Sequence, residues 1–289
     1  MDKESYIRRV KGFRTKKTLG QNFLIDYSAI EKILEYVDPC DDVVEIGAGV
    51  GFVTEELVKK AKSVTAIEID KDAIKILEKN CKFSILNKEN SCDFKIIEQD
   101  ILKTDLSQFK KDKELKIVAN IPYYITSPIL AHLLGEIDDI NNKNRNSISE
   151  IILMVQYEVA KRLVASEKSE NIKDYGLLSI LAQFWADVEI IKKVSKYSFY
   201  PAPKVDSALV RLRINKNPKV EVTPFLRKTI KASFSTRRKN IKNCLQNASF
   251  LGVEDALQSC NIDLNTRGEK LSIQDFSNLS KALYEKSKN

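Results

Sequence analysis

Short apolar runs alternate with amphipathic stretches along this chain, and the alternation predicts its architecture. Residues 43–46 read as a buried strand. Glycines at 47, 49 and 51 follow, and then a helical pattern through Val53, Leu57 and Val58. Residues 64–70 form a second apolar run, and Ile74, Ile76 and Leu77 a second amphipathic stretch. Further strands are predicted at 94–97, 117–119 and 151–155, with a helix from Ser127 through Leu134 before a polar loop at 138–149. The helix 158–165, a helix carrying Trp185, the strand 188–194 and the alternating strand 208–214 complete this part. Strands that alternate with helices imply a Rossmann-like α/β sheet covered on both faces. Beyond Asn215-Lys216-Asn217-Pro218 the pattern is helical only, over 224–234, 239–245, 253–260 and 274–284. The expected division is therefore an α/β domain at 1–214 and a small all-helical domain at 215–289. Trp185 and the sole histidine, His132, read as core residues.

Polar groups recur where the predicted strands end, and this directs attention to one cleft. Glu45-Ile46-Gly47-Ala48-Gly49-Val50-Gly51 lets the backbone approach a ligand at the carboxyl end of the first strand. A dinucleotide fingerprint needs glycine at 52, where Phe52 stands; G-x-G-x-G is the spacing of many methyltransferases that bind S-adenosylmethionine. The next strand ends in Glu68 and Asp70, either of which could accept both ribose hydroxyls, with Glu68 preferred and Asp70 suited to a solvated helix start. Asp100 closes the third strand, where an acid can take an adenine amino group while Ile101 covers the ring. The fourth delivers Asn120-Ile121-Pro122-Tyr123-Tyr124. Asn120 offers a side-chain carbonyl, Ile121 a backbone carbonyl and Tyr123 a flat ring. Two acceptors beside a stacking face suit an amino group on a planar base. They would draw its delocalised nitrogen toward tetrahedral geometry, which is transition-state complementarity without an acid or base. Phe199, in a loop stiffened by Pro201 and Pro203, is either a second stacking wall or core packing. Asn22, ahead of the helix that Asp26 or Ser28 would cap, either binds a ligand or closes a turn.

Charge sharpens the choice of partner. The net charge is +8 over 289 residues, but residues 190–247 hold 15 Lys or Arg against 2 acids, and residues 1–18 hold 7 against 2. Positive charge concentrated in two zones suits a polyanion such as nucleic acid. Ser233-Phe234-Ser235-Thr236-Arg237-Arg238-Lys239 is the densest knot, so Arg237, Arg238 and Lys239, together with Lys204, are the candidate RNA-phosphate contacts. Five cysteines without a C-x-x-C pair suggest reduced thiols and a cytoplasmic setting, and a single histidine argues against a zinc site. Neither a signal-peptide core nor an apolar run of membrane-spanning length occurs, so no membrane role is expected.

From Leu19-Gly20-Gln21-Asn22-Phe23-Leu24 to Thr266-Arg267-Gly268-Glu269-Lys270-Leu271-Ser272, the ordered motifs resemble the ribosomal RNA adenine dimethyltransferases, specifically the bacterial small-subunit (KsgA/RsmA) type. The resemblance implies a class I methyltransferase fold and S-adenosylmethionine as cofactor. It further implies transfer of four methyl groups to two adjacent adenosines in the 3′-terminal hairpin of 16S rRNA during small-subunit biogenesis. Carried over by position, Asn22, Leu24, Gly47, Glu68, Asp100 and Asn120 match the family's cofactor contacts, with Gly49 and Ile101 beside them. Tyr123 and Phe199 match its adenine-stacking pair. Gly268 departs from the alanine of many members, and the polar stretch 82–93 is longer than usual. The expected partner is 16S rRNA in an assembly intermediate, met by a monomer that needs no metal. Rival readings are a large-subunit, macrolide-resistance type of methyltransferase and a non-catalytic assembly factor. The segment 267–276 disfavours the first, and intact Glu68, Asp100, Asn120 and Tyr123 the second.

Overall fold

A computed structural model of the chain describes residues 3–10, 12–86, 92–236 and 238–288. Among the described residues nine strands form: β1 (Phe23–Leu24), β2 (Asp42–Ile46), β3 (Ser63–Glu68), β4 (Asp93–Glu98), β5 (Leu115–Asn120), β6 (Ile148–Gln156), β7 (Ala186–Val194), β8 (Phe199–Tyr200) and β9 (Ser207–Ile214). Seven of them make one sheet in the order β4-β3-β2-β5-β6-β9-β7, and β1 pairs with β8 as a separate two-stranded ribbon. β2, β3, β4, β5 and β6 are mutually parallel, while β9 runs antiparallel to β6. From β2 the chain steps outward through β3 to β4 and then returns to β5 on β2's other side. Right-handed crossovers in opposite directions place helices on both faces, and the reversal opens a crevice beyond the carboxyl ends of β2 and β5. Ile46 stands opposite Ala119 in that pair, so Gly47 and Asn120 emerge side by side.

The predicted strands and helices form with small shifts in their ends. No periodic signal marked the helix Lys3–Arg9, the five-residue helix Lys143–Ser147, or the β1/β8 ribbon. The first is held by tertiary contact, since the buried Tyr6 ring meets Phe52 edge-on at 4.6 Å and Arg9 pairs with Glu55 at 2.7 Å. Asp26, rather than Ser28, caps the helix Tyr27–Leu34. A charge ladder crosses the sheet, with Lys116 near Glu150 and Arg211 bonded to both Glu150 and Glu189. None of the helices among the described residues is long and apolar enough to cross a membrane.

The chain divides into two compact units. One holds residues 1–133, 143–160 and 188–214; the other gathers 134–142, 161–187 and 215–289. The linear reading put the first two segments of the second unit with the sheet. The second unit recruits them by contacts remote in sequence: the Trp185 indole donates to the Glu136 carbonyl, the Tyr175 hydroxyl donates to Leu271, and Arg227 pairs with Glu136 at 2.6 Å. Trp185 is buried, as its pattern predicts. The helices Leu226–Ser233, Ile241–Asn247, Val253–Ser259 and Ile273–Lys286 enclose a core that includes Leu226, Leu245, Leu257 and Phe276. Gly268 has a local reason here, because a Cβ would come within 2.7 Å of the Ser233 carbonyl oxygen.

Candidate active site

The crevice at the strand reversal is a cleft of about 230 Å³ lined by residues of the first unit. Its floor is the loop after β2. Gly47 has φ +74°, and a Cβ there would sit 3.0 Å from the Asn120 carbonyl oxygen; Gly49 has φ +56°, and a Cβ there would reach within 2.9 Å of the Phe23 ring. Both positions therefore need glycine for conformation and for space. The loop is tied down by Gly47 N–H to the Ile67 carbonyl at 2.9 Å and by the Asn80 amide to the Val50 carbonyl at 2.7 Å.

Two carboxylates face this floor from neighbouring strands. Glu68, at the end of β3, accepts the Gly49 N–H at 2.7 Å through Oε2 and the Ile69 and Asp70 N–H groups at 2.9 Å through Oε1. Three backbone donors fix the carboxylate in place, with lone pairs left for hydroxyl donors. Asp100 follows β4; its Oδ1 accepts the Leu102 N–H at 3.0 Å, and Ile101 beside it lines the cleft. Asp70 takes a different part from the solvated helix start considered for it. It is buried, and accepts from the Lys16 ammonium and, at 2.6 Å, from the Gln21 amide. Burial opposes its charge, but those bonds more than offset burial and hold its carboxyl below the usual range. The 16–22 segment is thereby clasped to the end of β3.

The fourth strand end supplies the acceptors. The Asn120 amide nitrogen donates to the Asn22 carbonyl at 3.3 Å, so the side-chain oxygen is the atom left for a ligand. Asn22 in turn donates its own amide to the Gly20 carbonyl at 3.0 Å and lines the cleft, so it closes a turn and faces the ligand space at once. Ile121, Pro122 and Tyr123 continue the wall. The Tyr123 hydroxyl and Ser207 Oγ share a hydrogen bond of 2.6 Å, which fixes the ring; burial raises the phenol's pKa, the Ser207 bond opposing. Tyr123 is accordingly a neutral surface and not a base.

Two candidates lie elsewhere. Phe199 is 3% exposed in the hydrophobic core, opposite Leu24 in the β1/β8 ribbon, and neither residue is among those lining the cleft. A two-residue ribbon buries both side chains and anchors the N-terminal segment, the setting that the core-packing alternative for Phe199 describes. Lys204, Arg238 and Lys239 are exposed. Arg237 lies outside the described residues. Three contributors gave no local signal: Ser207 and Lys16, whose partners are distant in sequence, and Phe23, whose ring fills the space a side chain at 49 would need.

Deep beneath the loop, Glu45 is fully buried; burial, with the Glu68 charge adding, pushes its carboxyl up to about 8. The nearby Thr54 hydroxyl favours the charged form, but Glu45 Oε2 has no well-formed hydrogen bond among the described residues.

A parallel-sheet crevice with a tight glycine floor, an acid at each of two adjacent strand ends and an oriented amide opposite is the site of a class I methyltransferase that uses S-adenosylmethionine. Among solved structures, a dimethyladenosine transferase from Plasmodium falciparum superposes with a TM-score of 0.73 at 26% identity, covering 90% of this chain and 96% of that one. The 23S rRNA methyltransferase ErmE follows with a TM-score of 0.65 at 25% identity, covering 91% and 100%. Proteins named ribosomal RNA small subunit methyltransferase A are similar at sequence level. That of Clostridioides difficile is 41% identical over 93% of this chain and 90% of its own length, and that of Bacillus licheniformis 40% over 95% and 93%. Residues 12–285 match the ribosomal RNA adenine dimethylase family, and the chain belongs to it.

Proposed function

We propose that the enzyme dimethylates two adjacent adenosines in the 3′-terminal hairpin of 16S rRNA, working as a cytoplasmic monomer on a small-subunit assembly intermediate. The names of its relatives support the choice of subunit. The observation that carries the chemistry is the Asn120 side chain in the cleft wall, its amide nitrogen bonded to the Asn22 carbonyl, beside Ile121 and the fixed Tyr123 ring. When bound, S-adenosylmethionine supplies a methyl group already activated on a positively charged sulfonium. Glu68 accepts its ribose hydroxyls, Asp100 its adenine amino group, and Ile101 covers that ring. Asn22, Gly47 and Gly49 bring backbone close to the remainder, with Leu24 supporting the segment from the core.

Asn120 Oδ1 and the Ile121 carbonyl accept the two amine hydrogens of the target adenine, and Tyr123 stacks on its face. The acceptors favour the pyramidal nitrogen of the transition state over the planar ground state. Positioning supplies most of the rate, and the proton leaves to water after transfer. Lys204, Arg238 and Lys239 meet phosphates, so RNA affinity falls steeply with added salt.

Methyl transfer from labelled S-adenosylmethionine to under-methylated small subunits, with large subunits in parallel and the modified nucleosides mapped, tests this reading. Label is expected as dimethyladenosine at two neighbouring positions of the small-subunit hairpin. Label confined to the large subunit would move the substrate, and binding without label would make the protein an assembly factor.

A further inference from the structure

The loop between β7 and β9 exposes rings that core packing does not use. Tyr197 is 65% exposed, Tyr200 38% and Val205 45%. Isolated exposed apolar residues are ordinary, but three within nine positions of one loop make a patch in sequence that no core contact accounts for. The loop that carries them is tied down. The Lys196 N–H donates to Asp206 Oδ1 at 3.1 Å, closing its two ends; the Ser198 hydroxyl donates to Asp26 at 2.7 Å; and the Ile25 N–H donates to the Ser198 carbonyl at 2.9 Å. The Lys3 ammonium donates to the Tyr197 carbonyl. A closed, anchored loop that still presents its rings to solvent holds them ready for a partner.

Position and charge say which partner. Tyr200 stands opposite Phe23, a residue of the cleft wall, and the strand leaving the loop starts at Ser207, which holds Tyr123. The patch thus borders the catalytic cleft at both of its attachments. Residues 192–206 carry four lysines and one acid. That acid, Asp206, is already engaged by the Lys196 N–H and by Lys193 at 3.4 Å, and these partners lower its pKa. Lys196 lies 5.2 Å from the Tyr197 ring centre. Protein interfaces are depleted in lysine, whereas unpaired nucleic acid is held by aromatic faces interleaved with cations.

We propose that Tyr197 and Tyr200, with Lys196 and Lys204, form a stacking and phosphate-binding platform for unpaired nucleotides flanking the adenosine in the cleft. The proposal rests on the RNA-adenosine reading of that cleft. Unpaired bases are required because a base in a duplex has both faces occupied by its neighbours.

The test measures binding of the full-length protein to under-methylated small subunits and to a single-stranded adenosine oligonucleotide, with an RNA duplex of equal phosphate number as competitor. Tyr197→Ala and Tyr200→Ala are expected to weaken binding to subunits and to the oligonucleotide roughly 5- to 100-fold each, and Tyr→Phe at either site to retain it. The duplex should compete less well than the single strand against the wild type, and this difference should shrink in the alanine variants. Unchanged S-adenosylmethionine affinity confirms that the variants are folded. Wild-type affinity in both alanine variants overturns the platform while leaving the cleft reading intact, provided wild-type enzyme labels small subunits in the same preparation. Loss of subunit binding with full oligonucleotide binding also overturns it, because the rings would then meet a ribosomal protein. A wild-type enzyme that neither binds nor labels small subunits overturns both readings.

Discussion

Replacing Glu68 with glutamine tests the cofactor end of the cleft most sharply. The carboxylate serves three backbone N–H groups, with Ile69 and Asp70 on one oxygen and Gly49 on the other. Glutamine keeps an oxygen for the first two but turns an NH2 toward Gly49, so donor faces donor at a position now 2.7 Å wide. An unsatisfied buried donor costs about 1–3 kcal/mol, which should lower the melting temperature by a few degrees. The second effect is on binding. A ribose hydroxyl bonded to a charged acceptor contributes about 1.5–3 kcal/mol, so losing the charge should weaken S-adenosylmethionine about 10- to 150-fold. Calorimetric titration of the variant and wild type gives both affinities, and a thermal melt without cofactor gives the folding cost. The reasoning fails if Glu68→Gln binds S-adenosylmethionine as the wild type does. It fails differently if the two effects are inseparable, that is, if affinity falls only at temperatures where the free variant is already unfolding.

Further expectations follow from neighbouring groups. Gly49→Ala forces a Cβ to within 2.9 Å of the Phe23 ring at φ +56°, so S-adenosylmethionine affinity should drop more than about tenfold; a titration matching wild type would show the floor to be adaptable. Glu45 is pushed from 4.5 up to about 8 in the fold, so the stability it contributes is complete below about pH 4.5 and is lost as pH rises to 8. Glu45→Gln should remove that slope in denaturant melts between pH 5 and 8.5 and leave the variant more stable than wild type at the upper end; parallel stability curves would contradict the assignment. Phe199→Ala should cost about 3–5 kcal/mol in urea unfolding, while Phe199→Leu, which keeps most of the buried volume, should retain methyl transfer within about threefold. A folded leucine variant with turnover reduced more than tenfold would instead put the ring against the base.

The sequence made the strand ends legible because each is marked by a local change of pattern, an apolar run stopping at Gly47, Glu68, Asp100 or Asn120. Parallel order then brings such ends together wherever the sheet reverses, so four local readings became one cleft. What stayed hidden is tertiary. Lys16 reaches Asp70 across 54 residues, and Tyr123 reaches Ser207 across 84, with no periodicity linking either pair. Phe199 shows the converse: its setting just before Pro201 and Pro203 is equally compatible with a wall and a core, and its burial comes from a pairing with Leu24 that no local pattern marks. The grouping of 134–142 and 161–187 with the second unit is hidden for the same reason, because residues there, such as Glu136 and Tyr175, join partners found after residue 215.

The amine grip itself is tested most directly by single-turnover methyl transfer with Asn120→Ala on under-methylated small subunits, measured beside subunit affinity. Loss of one preorganised hydrogen-bonding group in a transition state slows reaction about 10²–10³-fold. The rate should fall by that order while affinity for subunits stays within about twofold of wild type, since RNA contacts to phosphates are untouched. Equal losses in rate and affinity would make Asn120 a binding residue and contradict the proposed chemistry.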